Sequence, residues 1–375
     1  MTPRTWVILS DKRGDNGQVE TIVDALGWPV EHKYVHMKPE WVLGKPRYRP
    51  SLDHLDLSRS DRLEGPWPDL IITVGRRPSM VALWVRQQSG NKTKIVLVGK
   101  PSGRMLDFAL VIASAENQMP PLHNFQATRL PLMRIASEAV AEEANAWSAR
   151  FADLPRPLIA MLIGGETNPF IMNQRVAREL VSTARWITDS LGGTPYVTTS
   201  RRTTSEVLEV LRAELPEEAV YFEWSADAEE NPYKALLGTA DAFVVTGDSV
   251  SMMVEVLYLG KPLALFPLPG GLLGTLDQLR RSLAHWLFRP RKASMADRLR
   301  HALARGVHHV DIFKLLSVTR DFRAFHRMLI DEGLAVWAGQ PFLKENAALP
   351  NDIEVVIERI VRLFPDADPS TGNAP

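Results

Sequence analysis

One stretch of this 375-residue chain carries small, hydroxyl-bearing and acidic residues in an order suited to binding a phosphate ester. The apolar run 242–246 precedes four small or polar residues, Gly247, Asp248, Ser249 and Ser251. If a helix begins there, its first N–H groups have no acceptor within the helix and favour an anion. Glu255 lies beyond the first turn, where a carboxylate would repel phosphate but could accept hydrogen bonds from a ribose diol. The stretch predicts a nucleotide site whose turn presents bare amides to a diphosphate.

Two more turns with suitable chemistry follow apolar runs. Gly164 and Gly165 follow one run, and Ser200 and Arg201 follow another. Paired glycines allow a ligand to approach the backbone, and an arginine fork matches phosphate oxygens. We therefore expect both turns to bind the same phosphate-bearing ligand, with Arg201 preferred to Arg202. The alternative is that each is an ordinary connection between a strand and a helix.

The N-terminal part offers residues for an acceptor. Asp11 follows the first apolar run, and either Asp11 or Asp15 could take a proton from a hydroxyl as general base. Lys12 and Arg13 could hold an anionic acceptor, and Arg76 stands at another strand end where a helix start could bind an anion. The same Asp- and Gly-rich composition also suits a turn that caps the next helix.

The sequence argues against a resident metal or organic cofactor. Without cysteine there is no thiolate site, and there is no clear Asp-x-Asp motif to hold a sugar-nucleotide metal. Four histidines lack a convincing carboxylate arrangement: His301, His308, His309 and His326. The first strand is not followed by a Gly-x-Gly-x-x-Gly fingerprint, which disfavours a nicotinamide dehydrogenase. We expect no metal and no cofactor.

The elements that must position these residues alternate along the chain. Apolar runs suited to buried parallel strands are 6–9, 33–36, 70–74, 95–98, 108–112, 126–130, 158–163, 195–199, 219–222, 242–246 and 263–266. Helix-like segments lie between them, which predicts an α/β protein with doubly wound parallel sheets. We expect an N-terminal domain at 1–150, a second at 151–340, and a closing helix and tail at 341–375 that could pack back on the first.

Charge and hydropathy limit the partners. The chain has 44 basic residues (Lys and Arg) and 44 acidic residues (Asp and Glu), so its formal net charge is zero. Nothing in this balance favours nucleic acid as a partner. No run approaches the length of a membrane helix, and we expect a cytoplasmic protein. Residues 41–50 mix aromatic and basic side chains, which suits either contact with anionic lipid or an ordinary proline-rich loop. Peripheral contact with the inner face of a membrane stays open, and we favour the ordinary loop.

The stretch around Ser249 resembles the donor signature of GT-B glycosyltransferases, enzymes with two Rossmann-like domains that face each other across a cleft. The matching order is a strand, Thr-Gly-Asp-Ser, a helix with Glu255, Leu-Gly-Lys-Pro and a further strand. The resemblance implies that Ser249 and Ser251 contact the diphosphate and that Glu255 contacts the ribose. It also implies metal-independent transfer, with helix dipoles and basic side chains neutralising the leaving group.

Four segments are similar to the mitochondrial-fission ELM-like family, a bacterial and plant group assigned to the GT-B class. They are residues 10–18, 75–79, 164–168 and 199–203, and the resemblance extends from about residue 5 to residue 345. It implies transfer of a sugar from a nucleoside diphosphate sugar to an unidentified acceptor, for which a cell-envelope glycolipid is one option. The alternatives are an epimerase or hydrolase on the same fold, and a binding or scaffold protein without turnover.

Overall fold

The structure is a computed structural model that describes residues 2–11, 13–42, 44, 46–117, 119–288, 294–306, 320–345, 347–349 and 351–365. The strands are β1 Thr5–Ser10, β2 Val30–Val35, β3 Leu70–Val74, β4 Lys94–Val98, β5 Leu110–Ser114, β6 Phe125–Thr128, β7 Leu158–Leu162, β8 Thr194–Thr198, β9 Val220–Phe222, β10 Ala242–Thr246, β11 Leu263–Phe266 and β12 Val336–Trp337. The helices are α1 Arg13–Leu26, α2 Pro39–Val42, α3 Arg76–Gln88, α4 Ser137–Phe151, α5 Gln174–Leu191, α6 Ser205–Glu214, α7 Tyr233–Thr239, α8 Val250–Tyr258, α9 Leu272–Phe288, α10 Met295–Gly306, α11 Phe322–Asp331 and α12 Asp352–Val361.

The chain divides into two compact units. The first comprises Met1–Arg134, Ala284–Val318 and Pro350–Pro375, and the second comprises Ile135–Leu283 and Thr319–Leu349. Each contains one six-stranded sheet in which every pairing is parallel. The predicted α/β class with doubly wound parallel sheets is therefore confirmed, and each predicted strand overlaps an observed one.

Burial on both faces explains the unbroken apolar strands of the first unit. Its strand order is β2-β1-β3-β4-β5-β6. Along β1, Trp6 and Ile8 enter one core cluster, whereas Val7 and Leu9 enter the other. Because successive side chains of a strand point to opposite faces, a strand covered on both sides must be apolar at every position.

The second unit has the strand order β12-β11-β10-β7-β8-β9. The chain adds β8 and β9 on one side of β7, and later adds β10, β11 and β12 on the other. The connections that follow the neighbouring strands β7 and β10 therefore run toward opposite edges of the sheet, which makes a topological switch point between them. In open α/β sheets, ligands bind outside the carboxyl ends of the strands at such a point.

Two helices each begin just after the chain passes from one unit to the other. Helix α4 packs on α7 in the second unit, where an added Cβ on Gly238 would lie 2.7 Å from the Cβ of Ala144. The sequence analysis placed the domain boundary after this helix, at residue 150, whereas the units divide before it. Helix α12 adds Val356 and Ile360 to a core cluster of the first unit.

Candidate functional site

The loops after β7, β8 and β10 meet at a buried carboxylate in the second unit. The Asp248 side chain has no exposed surface. Its Oδ2 accepts hydrogen bonds from the Gly165 amide and the Arg202 guanidinium, each at 3.0 Å. Its Oδ1 accepts one from the Thr246 hydroxyl at 2.7 Å, and that hydroxyl accepts the Gly164 amide at 2.8 Å. One side chain therefore ties together three loops that the sheet brings to one edge.

The glycines are required by this packing. A Cβ on Gly164 would lie 2.3 Å from Asp248 Oδ2, and one on Gly165 would lie 2.0 Å from the carbonyl oxygen of Arg202. The pKa of Asp248 is nevertheless raised, because burial penalises its charged form more than its hydrogen bonds to Gly165 and Thr246 favour it. The amides that the sequence analysis assigned to a donor phosphate are bonded within the protein.

The turn before α8 also differs from expectation. Gly247, Asp248 and Ser249 are all buried. The Gly247 amide donates to the Phe266 carbonyl at 2.9 Å, and the Ser249 amide donates to the Thr246 carbonyl at 3.2 Å. The prediction of bare amides within this turn is therefore wrong at Gly247 and Ser249, because the polar groups of a buried turn must find internal partners.

The first turn of α8 contains amides that have no acceptor within the helix. The first residue of the helix to donate back to Ser249 is Met253, so the amides of residues 250–252 precede the intrahelical ladder. Ser249 occupies the N-cap position without a side-chain cap. Ser251 is exposed, and Glu255 lies four residues later on the same face of the helix.

Glu255 is held by a tyrosine. Its Oε2 accepts a hydrogen bond from the Tyr233 hydroxyl at 2.7 Å. Burial raises the pKa of Glu255, whereas the hydrogen bond from Tyr233 acts in the opposite direction. Burial also raises the pKa of Tyr233, and the nearby carboxylate adds to the effect. The pair is a half-buried acceptor about 6 Å along the helix from Ser251, given the rise of an α-helix.

The loop after β8 uses its arginines differently from the prediction. Both arginines are exposed, and it is Arg202, rather than the predicted Arg201, that forms the ion pair with Asp248. Ser200 is engaged in its own turn: its hydroxyl lies 3.3 Å from the Thr203 hydroxyl and accepts the Arg202 amide at the same distance. Ser200 therefore shapes the loop.

A buried histidine supports the loop after β10. His326 on α11 is 3% exposed and stacks on Phe170, with ring centroids 6.2 Å apart. A Cβ on Gly247 would lie 2.8 Å from its Cε1. Burial lowers the pKa of His326 to about 4, so the ring is neutral near pH 7. Its role could not be read from the sequence, because 78 intervening residues separate it from Gly247.

In the first unit, Asp11 follows β1 at that sheet's own switch point, between β1 and β3. Its Oδ1 lies 2.8 Å from Nδ1 of His36, which follows β2. Lys12 lies outside the described residues, as do the side chains of Arg13 and Asp15. Among Asp11, Lys12, Arg13 and Asp15, the structure therefore describes a side-chain contact for Asp11 only.

Arg76 holds a neighbouring loop in place. Its guanidinium donates to the Pro46 carbonyl at 2.7 Å and lies 5.0 Å from the ring centroid of Tyr48. Burial lowers its pKa. Trp41, Arg47 and other residues of this loop line a cavity of about 390 Å³. Arg76 therefore has a structural use that the sequence did not reveal.

Two findings concern metals and membranes. Within the described residues, no group of three or more His, Asp or Glu side chains is placed to hold a metal ion. In the same part of the chain, no helix combines the length and apolarity needed to cross a bilayer.

The sequence matches a known family. A family model described as Mitochondrial fission ELM1 matches residues 13–288. A curated relative, the mitochondrial fission protein ELM1 of Arabidopsis thaliana, is 29% identical over 223 residues, which are 52% of this chain and 50% of that protein. The match thus spans about half the length of that relative.

Solved structures of two kinds are similar to this chain at low identity. A glycosyltransferase from Rickettsia africae has a TM-score of 0.47 and 11% identity, with 98% of this chain and 100% of that chain covered. A UDP-GlcNAc 2-epimerase from Neisseria meningitidis, bound to UDP-GlcNAc, has a TM-score of 0.45 and 9% identity, with 96% and 100% covered. Neither likeness bears on the reaction of this chain.

Proposed function

The chain belongs to the mitochondrial fission ELM1 family, and from the site in its second unit we propose that it binds a nucleoside diphosphate sugar and transfers the sugar to an acceptor. The observation that carries the proposal is the arrangement on α8. Ser251 is exposed beside the first-turn amides, and Glu255 lies one turn further along the same face. This spacing suits a phosphate and the ribose attached to it.

The anion is proposed to bind at the amides of residues 250–252 and the hydroxyl of Ser251, where the helix dipole adds partial positive charge. Exposed Arg201 supplies a mobile positive charge on the neighbouring loop. Gly164, Gly165 and Asp248 support this arrangement from behind, because they fix the β7 and β10 loops to each other. The diphosphate is thus stabilised without a metal ion.

Glu255 is proposed to bind the ribose diol. The hydrogen bond from Tyr233 occupies one carboxylate oxygen and limits the rotation of the side chain. A charged acceptor at a half-buried position binds a hydroxyl more tightly than it would in water. Two ribose hydroxyl donors would also stabilise the ionised form of a carboxylate whose pKa burial has raised.

For the transfer step we propose Asp11 and His36 as the proton acceptor. The carboxylate lies 2.8 Å from Nδ1 of the imidazole, and the other ring nitrogen is proposed to take the proton of an acceptor hydroxyl. The acceptor oxygen then bonds to the anomeric carbon of the sugar, and the bond between that carbon and the diphosphate oxygen breaks. The electron pair leaves with the diphosphate.

The test is calorimetric titration of the wild-type protein with UDP, GDP and CMP, followed by the corresponding nucleotide sugars. For the nucleotide that binds, Glu255→Ala should weaken binding by roughly 10- to 100-fold, because a charge-assisted hydrogen bond contributes about 1.5–3 kcal/mol. Glu142→Ala is the matched control, since Glu142 is exposed on α4. Equal affinities of the two variants would refute the ribose role, and no binding by the wild type would refute the donor site.

Product analysis then separates transfer from the alternatives. Consumption of the donor only with an acceptor supports transfer, whereas an epimeric sugar nucleotide or free sugar without an acceptor points to an epimerase or hydrolase. Binding without consumption across a broad acceptor panel would favour a protein without turnover. His36→Gln should slow transfer while leaving donor affinity unchanged, and an unchanged rate would exclude the proposed base.

A further inference from the structure

Exposed apolar side chains are concentrated on two consecutive helices. Among the described residues, ten large hydrophobic side chains are exposed, and six of them lie on α9 and α10. These six are Leu279, Leu283, Trp286, Met295, Leu299 and Leu303. Such clustering differs from the single exposed hydrophobic residues that are normal on a protein surface, and contiguous apolar patches mark interaction sites.

Helix α10 reverses the usual orientation of an amphipathic helix. Met295, Leu299 and Leu303 recur every four residues and are 77%, 75% and 60% exposed. The same helix buries two of its charged residues, Asp297 and Arg300, at 6% and 4% exposure. Since a water-facing helix normally turns its charges outward, the outward apolar stripe requires an explanation other than folding.

Helix α9 shows the same pattern. Leu279, Leu283 and Trp286 follow the three- and four-residue spacing of one helix face and are 67%, 51% and 47% exposed. Ala284 and Leu287 are buried on another side of the helix. The core contact of α9 is therefore satisfied without the three exposed side chains.

The two helices are fixed to each other. The Arg300 guanidinium donates to the carbonyls of Trp286 and Leu287 at 3.0 and 2.8 Å, and its Nε donates to Asp297 at 3.1 Å. This contact joins α10 to the last turn of α9. The apolar stripes thus belong to one packed pair of helices.

The local charge identifies the chemistry of the partner. Residues 277–306 contain eight Lys and Arg residues but two Asp, and three of the arginines, Arg280, Arg281 and Arg300, form ion pairs with those aspartates, which leaves a local excess of positive charge. On α10, Arg298 and Arg305 are exposed beside the apolar stripe. Helices that lie in the interface of an anionic membrane combine these features, namely an apolar face and flanking basic side chains.

We propose that the outward face of α10, together with the last turn of α9, forms a docking surface for an anionic lipid bilayer. Met295, Leu299 and Leu303 insert among the headgroups, and exposed basic side chains such as Arg298 neutralise lipid phosphates. Trp286 is suited to the same depth, because its ring is amphipathic. This surface does not depend on the proposed donor site, and it differs from the loop at 41–50 that the sequence suggested for membrane contact.

The experiment is cosedimentation of the full chain with vesicles of phosphatidylcholine, with or without phosphatidylglycerol. The wild type should bind the anionic vesicles more tightly, and added salt should weaken binding. Leu299→Glu with Leu303→Glu should reduce binding by at least about tenfold, because two inserted apolar side chains are lost. The matched control is Leu57→Glu with Leu106→Glu, two leucines that are 63% and 48% exposed elsewhere.

Circular dichroism and thermal melting establish that both double variants fold, and Arg298→Gln gives a second, milder test. Its binding to anionic vesicles should fall, while its weak binding to pure phosphatidylcholine should not change. Equal vesicle binding by the α10 double variant and its control would overturn the proposal. So would a wild type that ignores vesicles but self-associates through this face, as shown by light scattering of wild type and variant.

Discussion

A methyl group added at Gly164 tests the carboxylate network at the centre of the second unit. The new Cβ would lie 2.3 Å from Oδ2 and 2.4 Å from Oδ1 of Asp248. Ordinary contact begins at 3.4 Å, so the carboxylate must move by about 1 Å. The oxygens would then lie beyond hydrogen-bond distance from the Gly165 amide and the Arg202 guanidinium, which are now 3.0 Å away.

The expected loss of stability follows from the separation of the Asp248–Arg202 ion pair. Removing one partner from a buried ion pair costs about 3–5 kcal/mol, and a movement that separates the partners has a similar effect. The Arg202 side chain is 40% exposed, so water compensates part of the loss. We expect Gly164→Ala to lower the free energy of unfolding by about 3 kcal/mol. For a unit of this size, the melting temperature should fall by roughly 6–12 °C.

Urea unfolding followed by circular dichroism measures the effect, with Gly17→Ala in α1 as the control. A Cβ on Gly17 meets nothing within 4 Å, and this substitution should stabilise the helix by about 0.5–1 kcal/mol. In an Asp248→Ala background the space is vacated, and Gly164→Ala should cost less than about 1 kcal/mol. The reasoning fails if Gly164→Ala has the same cost in both backgrounds.

Three further predictions concern single side chains. Burial raises the pKa of Glu255 above 4.5, so the wild type loses the stability contributed by the neutral acid as the pH rises through the folded-state pKa. The melting temperature of Glu255→Gln should therefore rise relative to that of the wild type between pH 4 and pH 8. A difference in melting temperature that stays constant over this range would contradict the prediction. Gly247→Ala places a Cβ 2.8 Å from His326 and should cost about 1–3 kcal/mol in urea unfolding, which an unchanged midpoint would disprove. Asn173 caps α5 by accepting the Val176 amide at 3.2 Å, so Asn173→Ala should cost about 1 kcal/mol by the same assay, whereas Asn173→Ser should retain most of the stability.

The sheets and the edge that carries the site could be predicted from the sequence. Runs such as 70–74 and 242–246 are apolar at every position, which is the pattern of a parallel strand covered on both faces. Once strands and helices alternate, handedness and connection rules place the turns after the strands at one sheet edge. The sequence therefore predicts that the turns after β7, β8 and β10 are neighbours.

The partners within that edge were not predictable in the same way. Asp248 is joined to Gly165 and Arg202 across 83 and 46 positions of the chain. A Thr-Gly-Asp-Ser turn has the same local pattern whether its carboxylate faces solvent or the interior. Likewise, the choice between Arg201 and Arg202 depends on the twist of one turn, which composition does not specify.

The helices α9 and α10 show where the division lies. Their three- and four-residue periodicity is a property of the sequence, and it determines that Leu299 and Leu303 share a face. Which face turns inward depends on contacts with distant elements, here the burial of Arg300 and its bonds to the Trp286 and Leu287 carbonyls. Local sequence determines backbone conformation and periodicity because both arise from neighbouring residues. Burial, ion pairing and pKa depend on groups that meet only when the chain has folded, and so the tertiary structure decides them.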